Sequence, residues 1–189
     1  MKTTRYSKRS TVRLVLDALF AALTVVFGLY LTIRVGNSVE VSLTSLPILF
    51  AAFLFGPADA VTVAVVSAFI KQVVLYGLGP TTVVWMLPSV LFALMAGLLA
   101  IPVRKWTTTP RARTIGLVLL TVAAELTFTV TNTAVLCFDA WFYQYPRKAL
   151  AILIPIRLAS CALRTVVTSC CVAFLLPRVQ KLLSKRNDS

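Results

Sequence analysis

Long apolar runs separated by short polar segments dominate the chain. Each run is continuous rather than alternating, and most approach the roughly 20 residues that a helix needs to cross a bilayer. The pattern therefore predicts an all-α membrane protein, and the continuous runs argue against a β-barrel. We expect one domain of six transmembrane helices over residues 1–189, with basic tails at 1–10 and 178–189. The predicted helices cover 11–33, 43–55, 57–76, 82–101, 114–136 and 149–176.

The polar segment 34–42 joins the first two predicted helices. The alternation of apolar and polar residues over Val39-Glu40-Val41-Ser42-Leu43 predicts a short extended stretch within it. The apolar run that follows is the shortest of the six. Gly56-Pro57 ends that run, and Pro57 is placed to begin the third helix. We interpret the polar segment as a cover over something bound near the outer face of a membrane protein.

The charge distribution predicts the orientation. The chain has 19 Lys and Arg against 6 Asp and Glu, a net charge of +13. The basic residues cluster at the ends of apolar runs, where Lys and Arg fix cytoplasmic segments. With six helices, both tails and the loop 104–113 lie on that side, so both termini are expected in the cytoplasm. Nucleic acid is not an expected partner.

The residue inventory argues against catalysis. There is no histidine, and none of the four cysteines forms a CxxC pair. Neither a Walker-type phosphate loop nor a GxSxG motif is present. We therefore expect no enzyme activity, no metal site, no cofactor and no disulfide framework.

Charged residues inside apolar helices are costly, so they usually face a partner or a cavity. Glu125 and Arg164 fall at similar depth on two antiparallel predicted helices, which predicts a structural ion pair. Lys71 and Arg157 lie in the outer third without a helical acid partner. Two cations there suit a ligand that carries carboxylate or phosphate. For Lys71, extension of the side chain to the lipid headgroups is the alternative.

Several stretches resemble one family of membrane proteins. Ala18 and Ala22 lie four residues apart on the first helix, which lets another helix approach closely. Together with the small size, the six helices and the polar first outer loop, this resembles the substrate-binding S component of an energy-coupling factor (ECF) transporter, most closely its folate type. The matching stretches are Arg34-Val35-Gly36-Asn37, Val41-Ser42, Leu46-Pro47-Ile48, Leu54-Phe55-Gly56-Pro57, Asn132-Thr133 and Pro155-Ile156-Arg157-Leu158.

The resemblance implies a role in vitamin import. An S component in the cell membrane of a bacterium would bind a water-soluble vitamin or cofactor precursor under the first outer loop. Folate is the favoured candidate, and cobalamin, a queuosine precursor and pantothenate are alternatives. Ala18 and Ala22 would dock an EcfT-like membrane coupling subunit, which works with two ATPase subunits. The expected substrate-binding residues are Arg34, Asn37, Glu40, Ser42, Lys71, Gln72, Trp85, Asn132, Trp141 and Arg157.

Two other classes of function stay open at this point. A non-transport membrane scaffold would use Ala18 and Ala22 for helix packing alone. A small membrane enzyme acting on lipid phosphate would need an acid–base set, and only Glu125, Glu40 and Asp139 are placed to supply one.

Overall fold

The computed structural model describes residues 11–35, 39–106, 110–144 and 147–187. Within these ranges the chain forms six α-helices and one two-stranded antiparallel hairpin. The predicted tail 1–10 lies outside the described residues. The bounds of the elements are α1 Thr11–Tyr30, β1 Thr32–Val35, β2 Val39–Ser42, α2 Ser45–Leu54, α3 Pro57–Tyr76, α4 Thr82–Trp106, α5 Pro110–Phe142 and α6 Arg147–Asn187.

The six predicted helices are present, but they are not equal in length. Five of them in the described ranges, all except α2, are long and apolar enough to cross a membrane. Helix α2 has 10 residues, which at the α-helical rise is roughly 15 Å, or about half of a hydrocarbon core. The protein is therefore a multi-pass integral membrane protein whose second helix cannot cross the bilayer by itself.

The hairpin follows α1 directly. The extended stretch predicted at 39–43 is confirmed as β2, but its partner β1 was not predicted. Helix α1 ends at Tyr30 rather than at residue 33, and Thr32 donates its hydroxyl back to the Gly28 carbonyl at 2.8 Å. The following residues are rich in β-branched side chains, which favour a strand. In the hairpin register Arg34 lies opposite Glu40.

Helices α4 and α6 continue past their predicted ends at residues 101 and 176. Helix α4 runs through Pro88 and Pro102 to Trp106, and α6 runs through Pro177 to Asn187. Proline removes one backbone hydrogen bond, and neighbouring helices can offset that loss in membrane proteins. The last turn of α4 is held by Arg104, which donates to the Phe53 carbonyl at 3.4 Å. Consequently part of the predicted basic tail 178–189 is helical.

Helix α5 is longer than predicted at both ends. It begins at Pro110, a residue well suited to the first turn of a helix. At the other end the aromatic segment placed in an outer loop is helical as far as Phe142. Phe138 contacts Trp141 and Phe142, with ring centroids 5.9 and 6.4 Å apart. These contacts at spacings of three and four residues stabilise the last turn of the helix.

Helix α2 lies at the centre of the bundle. It contacts α1, α3, α4 and α6, and its apolar residues from Leu46 to Phe53 are almost all buried. A short helix that is apolar all round is stable only when other helices surround it. Its connection to α3 is tight, because Gly56 has a φ of 108° and Pro57 packs against Gly97 of α4. A Cβ built on Gly97 would lie 2.4 Å from the Pro57 Cα.

Candidate functional site

A small cavity of about 10 Å³ lies where the start of α2 meets α4, α5 and α6. That is room for about one water molecule. Its walls combine one ion pair, three hydroxyl groups and three apolar side chains. The lining residues are Thr44, Ser45, Ile48, Ser89, Phe92, Glu125, Phe128 and Arg164.

The ion pair in this cavity is the one predicted from the sequence. Arg164 Nε donates to Glu125 Oε2 at 2.5 Å, and the two side chains are 11% and 0% exposed. The Arg164 guanidinium also lies 4.4 Å from the centroid of the Phe128 ring. The ion pair provides a hydrogen bond to only one of the two carboxylate oxygens of Glu125. In the described part of the chain, Glu125 Oε1 is buried and has no hydrogen-bond partner.

Hydroxyl groups form the wall on the hairpin side. Ser42, the last residue of β2, is buried and its Oγ lies 2.8 Å from Thr44 Oγ1. The Oγ of Ser45 lies 3.5 Å from Thr168 Oγ1 of α6. Thr44 stands at the N-cap of α2 and makes no side-chain capping hydrogen bond there. The first contact joins the end of the hairpin to the start of α2, and the second joins the start of α2 to α6.

A second polar level lies on the same pair of helices. Arg157, which is 8% exposed, donates from Nη1 to the backbone carbonyl of Asn132 at 3.2 Å. The structure therefore brings two predicted substrate residues together, although Asn132 contributes its backbone in this contact. Arg157 precedes Arg164 by about two helical turns, roughly 10 Å along the axis. The α5–α6 interface thus carries two arginines at two depths.

Lys71 lies beside α1 and the start of α2. A Cβ built on Gly28 would be 3.1 Å from both Lys71 Cδ and Thr44 Cγ2. The stem of Lys71 therefore packs against Gly28 of α1, next to Thr44, which lines the cavity. Gln72, the next residue, is half-buried.

The two predicted tryptophans occupy different surroundings. Trp85 Nε1 donates to Asp139 Oδ1 at 3.3 Å, which links α4 to α5. Trp141 is 68% exposed and contacts Phe138 on its own helix. The structure therefore does not bring Trp141 to the cavity. Asn37 lies outside the described residues.

The family model described as "ECF transporter, substrate-specific component" matches residues 12–176 of this chain. The chain belongs to this family. S components are transport subunits rather than enzymes. They bind a small-molecule substrate and work with a membrane and ATPase module.

The fold agrees with that assignment. The chain is similar to a solved S component of a bacterial ECF transporter, with a TM-score of 0.65 and 19% identity over 91% of this chain and 97% of that chain. At this identity the likeness concerns the fold. No curated protein matches the sequence.

Ala18 and Ala22 of this S component are both exposed, on the side of α1 that faces away from the bundle. No other helix in the described part of the chain covers them. The surface they form is therefore accessible to a neighbouring membrane protein.

Much of the cavity wall of this S component was missed from the sequence. Ser89 is a polar residue within the apolar run of α4, and that was a usable signal. The sequence gives no signal that Phe92 and Phe128 line a cavity, because the long apolar runs contain many phenylalanines. Glu125 and Arg164 were predicted as a structural pair only, whereas they also line the cavity.

Proposed function

We propose that this S component captures a water-soluble vitamin or cofactor precursor from the outside, with folate as the favoured ligand. The observation that carries the proposal is the pair of polar levels on α5 and α6. Glu125 and Arg164 form the level at the cavity, and Arg157 with Asn132 forms the other. A spacing of roughly 10 Å suits an elongated ligand with different chemistry at its two ends.

In this proposal the cations attract the ligand's carboxylates. Arg157 and Lys71 are the candidates for that contact, because Arg164 is already engaged by Glu125. An arginine can hold a carboxylate through paired donors. The other proposed contributors are Arg34, Asn37, Glu40 and Ser42 of the hairpin region, with Gln72, Trp85, Asn132 and Trp141. Cobalamin, a queuosine precursor and pantothenate are the alternative ligands.

Capture requires the bundle to open. A drug-sized ligand needs a pocket of roughly 300 Å³ or more, far above the 10 Å³ of the cavity. The hairpin is the element that would move, because it packs on α6 through β2 and on α1 through β1, whereas α2 is enclosed by four helices. We therefore assign the hairpin the role of a cover.

The same proposal includes six crossings and cytoplasmic termini. Arg13 in the first turns of α1 pairs with Asp59 in the first turn of α3, so both helices begin at one end of the bundle. The hairpin and α2 must together carry the chain back across it. Arg104 near the end of α4 also contacts α2 at that end. The positive-inside rule favours the cytoplasmic side for this end, as in a bacterial plasma membrane.

A binding assay tests the ligand. The purified full-length chain in detergent is titrated with folic acid, cobalamin, a queuosine precursor and pantothenate, and binding is followed by calorimetry. We expect folic acid to bind most tightly, and Arg157→Ala to weaken it roughly 10- to 100-fold through loss of a charged hydrogen bond. Arg111→Ala, at an exposed arginine, is the matched control. A folded protein that binds none of the panel contradicts the proposal.

Association with an EcfT-like coupling subunit and two ATPases is also proposed, with Ala18 and Ala22 as the docking surface. Replacing both residues with leucine should leave ligand affinity unchanged and abolish co-purification with the coupling subunit, because bulky side chains prevent close helix approach. A membrane scaffold is the second candidate function. It is favoured instead if the double variant loses its partner while neither protein binds any vitamin.

A further inference from the structure

Glu125 retains unused hydrogen-bonding capacity in the middle of the bundle. Its side chain is fully buried and lines the cavity. Oε2 accepts from Arg164, whereas Oε1 accepts no hydrogen bond from any described residue. Leaving a buried carboxylate oxygen unsatisfied is costly. The position therefore favours a ligand that brings an N–H donor to Oε1.

The surrounding walls restrict what kind of donor can enter. Phe92 and Phe128 meet edge to face, with their ring centroids 6.2 Å apart and their planes at 90°. Ile48 adds a third apolar side chain. A flat ring packs well against such aromatic walls. A flexible aliphatic ammonium would gain less from them.

Arg164 already directs two of its three nitrogens to side chains of α5. Its Nε is engaged by Glu125, its Nη2 lies 3.4 Å from Thr129 Oγ1, and its guanidinium lies over the Phe128 ring. The acceptor facing the cavity is therefore the unmatched feature of this level. The hydroxyls of Thr44, Ser45 and Ser89 can complement a ring that carries both donors and acceptors.

We propose that the central cavity receives the N–H edge of an amino-substituted nitrogen heterocycle, with Glu125 Oε1 as its acceptor. The inference rests on the proposed vitamin-binding function and adds an orientation to it. The heterocycle enters first and lies at the level of Glu125, while any carboxylates stay at the level of Arg157. A 2-amino-4-oxopyrimidine fused to a second ring, such as a pterin, has the required chemistry.

The first test changes the ligand and leaves the protein intact. Pterin is compared with lumazine, the same bicyclic ring with an oxo group in place of the 2-amino group. Folic acid is compared with p-aminobenzoylglutamate, which keeps the carboxylates and lacks the pteridine. We expect pterin to bind roughly 10-fold or more tightly than lumazine, because the 2-oxo group of lumazine turns an acceptor toward the Glu125 carboxylate where the 2-amino group of pterin turns a donor. p-Aminobenzoylglutamate should bind far more weakly than folic acid.

The second test changes the acceptor. In Glu125→Gln the amide oxygen can still accept from Arg164, which turns the amide N–H₂ toward the ligand donor. The preference for pterin over lumazine should then disappear, and folic acid affinity should fall roughly 10- to 100-fold. Asp59→Asn, the same acid-to-amide change at a buried carboxylate outside the cavity, is the matched control and should keep the preference. Thermal denaturation of each variant reports whether it is folded.

The outcomes separate the inference from the function on which it rests. Equal binding of pterin and lumazine by the unmodified protein overturns the inference, even if folic acid binds. Tight binding of p-aminobenzoylglutamate, or of pantothenate alone, also overturns it and leaves vitamin binding intact. A folded protein that binds no compound of either panel overturns the proposed function itself. If the Glu125→Gln variant does not fold, the comparison of pterin with lumazine on the unmodified protein decides whether the inference holds.

Discussion

Among the described residues, two arginines pair with fully buried carboxylates at different places in this bundle. The first lies at the end of α2, where Arg13 donates from Nε to Asp59 Oδ2 at 2.6 Å and from Nη2 to the Phe55 carbonyl at 2.6 Å. Arg104 adds a contact to the carbonyl of Phe53. We call these residues the α2 end cluster. The second pair is Glu125–Arg164 at the cavity.

The two pairs differ in the groups that surround each arginine. In the α2 end cluster the cations approach carbonyls at the C-terminus of a short helix, where unpaired carbonyls and the helix dipole favour positive charge. That cluster holds α1, α2, α3 and α4 together at one end. The Glu125–Arg164 pair lines a cavity and keeps one carboxylate oxygen unmatched. The two pairs share the same chemistry, so the proposed binding role of the second pair rests on its surroundings.

Removing the cation of the central pair should have the largest effect. Arg164→Ala leaves the buried Glu125 carboxylate without its partner, which costs about 3–5 kcal/mol of stability. The thermal-denaturation midpoint in detergent should fall, and folic acid binding should weaken with it. Arg164→Lys, which keeps the charge, should lose less stability. A wild-type midpoint in the alanine variant would show that the pair is not needed for the fold.

The packing beside the α2 end cluster can be tested without touching a charge. In Gly97→Ala the new methyl group overlaps Pro57 at the start of α3, so α3 and α4 must separate. Overpacking of this kind costs about 1–3 kcal/mol. Gly79→Ala is the matched control, because its nearest neighbour would be 3.9 Å away. Equal midpoints for the two variants would contradict the tight α3–α4 contact.

The smallest of the three effects is expected at the α2 end cluster itself. Asp59→Asn weakens two charge-assisted hydrogen bonds from an arginine whose side chain is 38% exposed. Solvent screening limits the loss of stability to about 1–2 kcal/mol. Ligand affinity should stay at the wild-type value in calorimetry, in contrast to Arg164→Ala. A large loss of affinity in Asp59→Asn would mean that the two clusters are coupled.

Hydropathy alone determined most of the architecture, because burial in lipid imposes long apolar helices wherever the chain crosses. It located six helices and the extended stretch before α2. The pairing of Glu125 with Arg164 also followed from sequence, since two charges at equal depth on antiparallel helices need each other. The predicted ends of α4 and α6, at residues 101 and 176, were too early, because neighbouring contacts outweigh the local cost of Pro102 and Pro177.

Only the tertiary structure decided which side chains meet at the cavity. Thr44, Ser89 and Phe128 come from three elements far apart in the chain, and nothing in their local sequence distinguishes them from other hydroxyl and aromatic residues. The same packing turned Trp141 outward and brought the Lys71 stem against Gly28. Hydropathy encodes how deep a residue lies in the membrane. The direction in which its side chain points depends on helix rotation, which is set by packing against neighbouring helices.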